Sequence, residues 1–404
     1  MKIGIIREGK QPPDRRAPFS PGQCREIVRR FPGTEVVVQS SRIRCFSDEE
    51  YLSAGISVVE DLSDCDILMG VKEVPVDQLV AGKTYFFFSH TIKKQAYNRT
   101  LLQEIVRKKI RLVDYETLTS PDGARIIGFG RFAGLAGAYN GLLTFGKRNR
   151  LFDLKPAHCC ENLQELMANV KGLRLPPLKI AVTGDGRVAG GVLELFQQVP
   201  LRRVSVDDYL KTDSFNEPVF VQLLPGDYNS HKAGKMFDLF HFFNHPEEYA
   251  GNFVRFCSCT DLLIAAAYWD PKAPVLFSPE DLKTPDFRIR VIADITCDID
   301  GSVPSTKMAS SIENPVYDYN PRTGRIEPAF SSEENIAVMA VDNLPCELPN
   351  DASLDFGRNL IEKVLPGLLE NDRDEIIERA TITKEGLLTR RFSYLSDFLG
   401  KTED

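Results

Sequence analysis

Lys72, His90 and Glu116 each stand just past a short apolar run. Asp66–Val71 precedes Lys72, Thr84–Phe88 precedes Ser89 and His90, and Ile110–Val113 precedes Asp114, Tyr115 and Glu116. Arg7 follows Ile3–Ile6 in the same way. If these runs are parallel strands, four ionisable side chains reach the carboxyl edge of one sheet, where open α/β sheets hold their ligands. Such groups can bind a charged small molecule, and an imidazole among them exchanges protons near neutral pH. Each has a plainer reading: a solvated turn lysine, a loop carboxylate, a satisfied structural histidine. Loop ends are polar by default. The coincidence of the four is what points to a site.

A second chemical signal is Gly184-Asp185-Gly186-Arg187-Val188-Ala189-Gly190-Gly191, between the apolar run Leu178–Thr183 and an amphipathic stretch, Val188, Val192, Leu195, Phe196 and Val199. Strand, glycine turn and helix together predict a dinucleotide site. Gly184 permits the tight turn, Gly186 lets a pyrophosphate approach the backbone, and Gly190 or Gly191 lets the helix pack closely on the strand. The helix N-terminus, with Arg187 in its first turn, favours the anion. A run at Arg203–Val206 is expected as the following strand. Asp207 lies 21 residues after Gly186, the spacing of a carboxylate that grips a ribose hydroxyl. Arg202 and Arg203 keep NADP as well as NAD open.

These residues need elements to position them. Ser20-Pro21 reads as a capped helix start and Pro32-Gly33 as its stop. Glu35–Gln39 reads as a strand and Ser47–Glu50 as another helix start. Leu101, Leu102, Ile105 and Val106 repeat at helical spacing. Strands alternating with helices imply βαβ units. Further strands are expected at Leu262–Ala267, Val291–Ile295 and Ile336–Val341, and helices at Ser353–Leu369, Arg373–Thr381 and Leu387–Phe398.

The chain has 404 residues, 50 Lys+Arg and 57 Asp+Glu, for a net charge of −7. This is ordinary globular composition and argues against nucleic acid as a partner. No apolar run approaches membrane-spanning length. Nine cysteines, an odd number, read as thiols in a reducing compartment, so a cytoplasmic protein is expected. Neither Cys159-Cys160 nor Cys257-Ser258-Cys259 has a second pair, so no metal site is expected. Asp294, Asp298 and Asp300 do not continue into a calcium-loop pattern.

Arg15-Arg16-Ala17-Pro18-Phe19-Ser20-Pro21, Gly70-Val71-Lys72-Glu73 and Phe88-Ser89-His90-Thr91-Ile92-Lys93 resemble blocks of the alanine dehydrogenase and transhydrogenase N-terminal superfamily. Gly128-Phe129-Gly130-Arg131-Phe132-Ala133-Gly134, Ile312-Glu313-Asn314-Pro315 and Val341-Asp342-Asn343-Leu344-Pro345 resemble lysine-forming saccharopine dehydrogenases and lysine–ketoglutarate reductases. Related reductases often have Asn-Gly where this chain has Ala265-Ala266.

The resemblance implies an α/β fold of two Rossmann-like domains with mostly parallel sheets and a cleft between them. Residues 1–138 with 345–404 would hold substrate, and 139–344 the dinucleotide. It implies NAD(P)-dependent interconversion of saccharopine with L-lysine and 2-oxoglutarate. Lys72 and His90 match the acid–base pair, with Glu116 a carboxylate near that lysine. Arg16 and Arg125 match the arginines on substrate carboxylates, with Phe129 beside them and Lys93 a further candidate. Asp207 matches the ribose acid and Asp298 an acid near the nicotinamide. Asp342 and Asn343 join the cofactor set.

Lys72 needs a lowered pKa to act as base. Burial would supply it, and Glu73 and Glu116 would oppose it. The run Asp14-Arg15-Arg16 also reads as a simple exposed turn. Two other functions remain open on sequence alone: an alanine or other small amino-acid dehydrogenase, and a non-catalytic dinucleotide sensor. Oligomeric state is not legible.

Overall fold

The structure, a computed structural model, describes residues 1–400 and contains two compact units. One comprises Met1–Phe129 and the chain from Pro349 onward; the other is Gly130–Leu348. The divisions fall there rather than near 139 and 345. The helix Gly130–Arg148 is one unbroken rod of the second unit. Its small residues are why: a Cβ on Gly137 would meet the Ile295 side chain at 2.5 Å, and one on Gly134 would meet the Val188 carbonyl oxygen at 1.9 Å.

The first unit begins with six parallel strands: β1 (Lys2–Ile5), β2 (Glu35–Gln39), β3 (Ser57–Val59), β4 (Ile67–Met69), β5 (Thr84–Phe87) and β6 (Arg111–Asp114). They lie in the order β3-β2-β1-β4-β5-β6. The central strands are buried along nearly their whole length, as expected of a sheet covered on both faces. The helix Pro21–Arg30 starts at Ser20, whose side chain accepts the Gln23 N–H while the Gln23 side chain accepts the Ser20 N–H. The helix Arg99–Arg107 buries Leu101, Leu102 and Ile105.

The second unit holds β7 (Lys179–Thr183), β8 (Arg202–Arg203), β9 (Val219–Leu223), β10 (Asn229–His231), β11 (Tyr249–Gly251), β12 (Leu262–Ala265), β13 (Val291–Asp294), β14 (Val316–Asn320), β15 (Arg325–Glu327) and β16 (Ile336–Met339). Its sheet runs β15-β14-β16-β13-β12-β7-β9-β8, with every pairing parallel except the two made by β14, which runs opposite to the rest. Strands β10 and β11 form a separate antiparallel pair. The strand beside β7 is therefore β9, and β8 lies outside it at the edge.

The chain ends in the first unit. There β17 (Thr381–Lys384) pairs antiparallel with β6, and β18 (Leu387–Leu388) with β17. The helix expected over Arg373–Thr381 is limited to Ile376–Ala380. The one expected from Leu387 gives way to β18 and a 3₁₀ segment Arg390–Leu395, and only Ser396–Leu399 is α-helical. The open edge of β6 explains this: Thr383 Oγ1 donates to the Ile110 carbonyl, and β-branched residues suit that pairing.

Among the described residues no helix is long and apolar enough to cross a membrane. All nine cysteines are free thiols.

Candidate active site

In the first unit, the turns after β1, β4, β5 and β6 converge as the strand order requires. Glu8, rather than Arg7, is the acid after β1 that turns inward. Its Oε1 accepts the Val71 N–H at 2.6 Å and its Oε2 the Lys72 N–H at 2.9 Å. Burial, then the nearby Asp14 charge, pushes its carboxyl up to about 8. Arg7 instead pairs with the exposed Glu60 at 3.0 Å.

Lys72 is thus fixed through its own backbone. Burial lowers its pKa, and the Arg16 charge lowers it further; Asp14 and Glu73 pull the other way without reversing the shift. His90 Nδ1 lies 2.7 Å from Glu73 Oε1, and Lys10 Nζ lies 2.9 Å from Glu73 Oε2. Burial alone would raise the Glu73 carboxyl, but the bonds to His90 and Lys10 take it down to about 2. An ionised Glu73 only accepts, so Nδ1 carries the proton and Nε2 is left for other partners. His90 holds left-handed backbone, φ 53°. Such strain in a non-glycine residue clusters at functional sites.

Asp114 ties two turns together. It accepts the Ser89 N–H at 3.0 Å, the Ser89 hydroxyl, and the Glu116 N–H at 2.7 Å. Glu116 Oε1 faces Lys93 at 3.3 Å and Arg125 at 3.8 Å, while its Oε2 is buried without a hydrogen-bond partner. The cations that Glu116 pairs with are Lys93 and Arg125.

Arg16 is no exposed turn residue. It is 3% exposed and Asp14 1%, and the two form a paired fork: Nε to Oδ1 at 3.0 Å and Nη2 to Oδ2 at 2.6 Å. Its guanidinium lies 4.1 Å over the Phe129 ring, which stacks on Phe356 at 4.4 Å. Arg125 lies 5.5 Å over Phe88, itself 6.0 Å from Phe129. Phe88, Phe129 and Phe356 form an aromatic shelf under two guanidiniums. The structure brings together Lys72, His90, Glu116, Arg16, Lys93, Arg125 and Phe129, and adds Glu8, Lys10, Asp14, Glu73 and Phe356. Glu8 and Asp14 each sit within two residues of a residue already of interest. What distinguishes them from solvated acids is their hydrogen bonds to Val71, Lys72 and Arg16, which only the fold supplies.

In the second unit, Gly184 has φ 95°, and a Cβ there would meet Ala267 Cα at 3.0 Å. A Cβ on Gly186 or Gly190 would meet nothing. The start of the helix Arg187–Phe196 lines a crevice, and a helix N-terminus favours an anion. The close-packing glycine is Gly191, and its neighbour is a helix rather than the strand: a Cβ would lie 2.1 Å from the Arg131 carbonyl oxygen.

Asp207 is placed differently from the sequence reading. It lies in the short helix Val206–Lys211 after the edge strand β8, exposed and bonded to Lys211 at 2.7 Å. It does not line the crevice above the glycine loop. The spacing argument assumes that the next strand in sequence neighbours β7, and here that neighbour is β9. At its end Gln222 donates through Nε2 to the Gly184 carbonyl at 2.9 Å and accepts from Arg203 Nη2 at 2.8 Å. The Val219–Leu223 run was the signal for this strand.

Asp298 follows β13, and Asp342 and Asn343 follow β16. Both acids act on Cys297, whose thiol is pushed up to about 12 by burial, then by Asp342, Asp294 and Asp298. The structure also gathers His231, His241 and Glu248, with possible ligand atoms within 4.8 Å of one another. The Ala233 N–H donates to His231 Nδ1 at 3.0 Å, which leaves the ring proton on Nε2, facing Glu248 at 3.3 Å. In that tautomer Nε2 has no lone pair for an ion.

The two units, one with a glycine loop and one whose strand ends gather Lys72, His90 and Glu116, are each an α/β unit built on a mostly parallel sheet. Residues 4–136 match the family model of the alanine dehydrogenase/PNT N-terminal domain. An L-alanine dehydrogenase structure superposes over 99% of this chain and all of its own, with a TM-score of 0.63 at 17% identity. The chain also resembles lysine-forming saccharopine dehydrogenases and alpha-aminoadipic semialdehyde synthases. It is 29% identical to the mitochondrial alpha-aminoadipic semialdehyde synthase of Rattus norvegicus, over 97% of this chain and 47% of the relative. It is 25% identical to the saccharopine dehydrogenase [NAD(+), L-lysine-forming] of Emericella nidulans, over 91% of this chain and 92% of the relative. The chain spans about half the length of the synthases it matches.

Proposed function

We propose that the protein is an NAD(P)-dependent oxidoreductase that interconverts saccharopine with L-lysine and 2-oxoglutarate, acting on a C–N bond. The observation that carries this is the pair Arg16 and Arg125 on the aromatic shelf, in the same unit as Lys72 and His90. Saccharopine has three carboxylates, and a pocket for it needs several fixed cations. A guanidinium suits a carboxylate, and Asp14, which occupies the Nε–Nη2 edge of Arg16, holds that guanidinium in one orientation. Lys93 adds a third positive group beside Arg125.

The glycine loop fits a dinucleotide, because its open Cβ positions leave the backbone accessible. Gly184, Gly186, Arg187 and Gly190 would hold the pyrophosphate, and Asp298, Asp342 and Asn343 the other half. A nicotinamide, when bound, supplies or accepts the hydride at the carbon of the C–N bond. The chain's own residues manage protons. Lys72, with its lowered pKa, takes the proton that the substrate amine loses before it attacks the ketone. His90, held through Nδ1 by Glu73, takes on Nε2 the proton that the nitrogen loses on attack and passes it to the ketone oxygen, and Lys72 returns the second proton with which that oxygen leaves as water. Glu116 holds Lys93 and Arg125 in place. The free thiols are in keeping with a cytoplasmic setting.

The test follows NADH or NADPH absorbance with L-lysine and 2-oxoglutarate, against pyruvate and ammonium in parallel. Lysine-dependent oxidation supports the reading. Turnover with pyruvate alone selects an amino-acid dehydrogenase instead. Cofactor binding without turnover in either selects a sensor.

A further inference from the structure

Above the glycine loop is a crevice of about 290 Å³ between the ends of β9 and β12. Tyr228 follows β9, and Tyr268 and Trp269 follow β12. A third wall comes from the segment between β10 and β11, which stands apart from the sheet. Within its short helix Leu239–Asn244, Phe242 is buried and packs edge-on against Tyr249 at 5.0 Å. That contact anchors the helix. The next residue, Phe243, is 54% exposed and lines the crevice, as does Tyr268 at 79%. Trp269 is fixed by its indole N–H, which lies 3.2 Å from the carbonyls of Ala273 and Pro274.

Two large exposed rings beside a glycine loop invite a flat, apolar-faced ligand. The crevice spans the end of β7: Pro225, Tyr228 and Phe243 line it from the β9 side, where a dinucleotide bound at this loop places its adenosine half, and Tyr268 reaches in from the end of β12. The opposite half of the sheet, β13 and β16, carries the carboxylates Asp298 and Asp342. Sequence-tolerant stacking on aromatic side chains is how proteins grip a base without reading its edge.

We propose that the segment between β10 and β11 forms an adenine clamp, in which Phe243 and Tyr268 stack on the base of the dinucleotide. This rests on the dinucleotide reading given above. Phe243 and Tyr268 are exposed at the crevice while Tyr228 and Phe242, which also line it, are buried.

Trp269 is the chain's single tryptophan and lines the crevice, so its fluorescence reports on this site alone. The experiment titrates the full chain with ADP, with reduced nicotinamide mononucleotide and with NADH. It compares wild type with Phe243→Ser, Tyr268→Ser, the double variant and the conservative Tyr268→Phe. ADP is expected to change Trp269 emission in the wild type. Each serine variant should weaken ADP and NADH binding about tenfold. Tyr268→Phe should bind as wild type, and the mononucleotide should bind all variants alike. Thermal midpoints should match, because both rings are exposed. ADP affinity within twofold of wild type in the double variant overturns the clamp, as does a loss confined to the mononucleotide. A wild-type protein that binds neither NADH nor NADPH sinks the dinucleotide reading itself, a distinct outcome.

Discussion

His90 Nδ1 stands 2.7 Å from Glu73 Oε1, and the second oxygen of Glu73 is tied to Lys10 at 2.9 Å. The carboxylate orients the imidazole and is itself held on its far side. Glu73→Gln should lower kcat about tenfold or more while NADH affinity stays the same. The carboxyl sits near 2 in the folded protein, below its ordinary 4.5. Its contribution to stability is therefore present above pH 4.5 and lost as pH falls towards 2. The Tm gap between wild type and Glu73→Gln should be widest near neutrality and close on acidification.

Lys72 presents the opposite balance. Burial penalises its charged form, so the unfolded chain holds that proton more tightly. The group opposes folding at neutral pH, and the opposition fades as pH rises towards 10.5. Lys72→Met should lose at least about a hundredfold in turnover, yet its Tm at pH 7 should equal or exceed that of wild type. A clear fall in Tm would refute this account of the lysine.

Glu8 titrates near 8 when folded and 4.5 ordinarily. Its raised value contributes stability that is complete below pH 4.5 and is lost as pH rises through 8. Glu8→Gln has no such loss. Thermal unfolding from pH 5 to 9 should show wild type declining relative to the variant across that window.

Adjacent glycines in the helix Arg187–Phe196 should respond with opposite signs. Gly190→Ala points into open space and should stabilise by about 0.5–1 kcal/mol. Gly191→Ala drives a methyl group against the Arg131 carbonyl of the neighbouring helix and should destabilise by about 1–3 kcal/mol. Denaturant titration of both variants checks the contrast.

Cofactor preference should follow Arg203 rather than Asp207. Arg203 reaches Gln222, which reaches the glycine loop. Asp207→Asn should bind NADH as wild type does. Arg203→Ala should weaken NADPH by about tenfold with little effect on NADH, the cost of losing one charge-assisted contact. Equal effects on both cofactors would remove Arg203 from the phosphate-reading role.

The sequence by itself determined the local pieces. Apolar runs set β1, β2, β4, β5, β6, β7, β12, β13 and β16; Ser20 and Ser47 set helix starts; glycine spacing set the turn after β7. Each depends on residues close in the chain, so the signal is local. Lys72, His90 and Glu116 were legible because a polar group following an apolar run marks a strand end. Only the tertiary structure decided which strands are neighbours and which charges are buried. Strand order put Gln222, rather than Asp207, on the strand beside β7, since β9 inserts between β7 and β8. Burial chose Glu8 over Arg7, buried the Asp14–Arg16 fork, and lowered Lys72 despite two nearby acids. Desolvation is a property of everything packed around a group, and that packing is assembled from segments far apart in sequence.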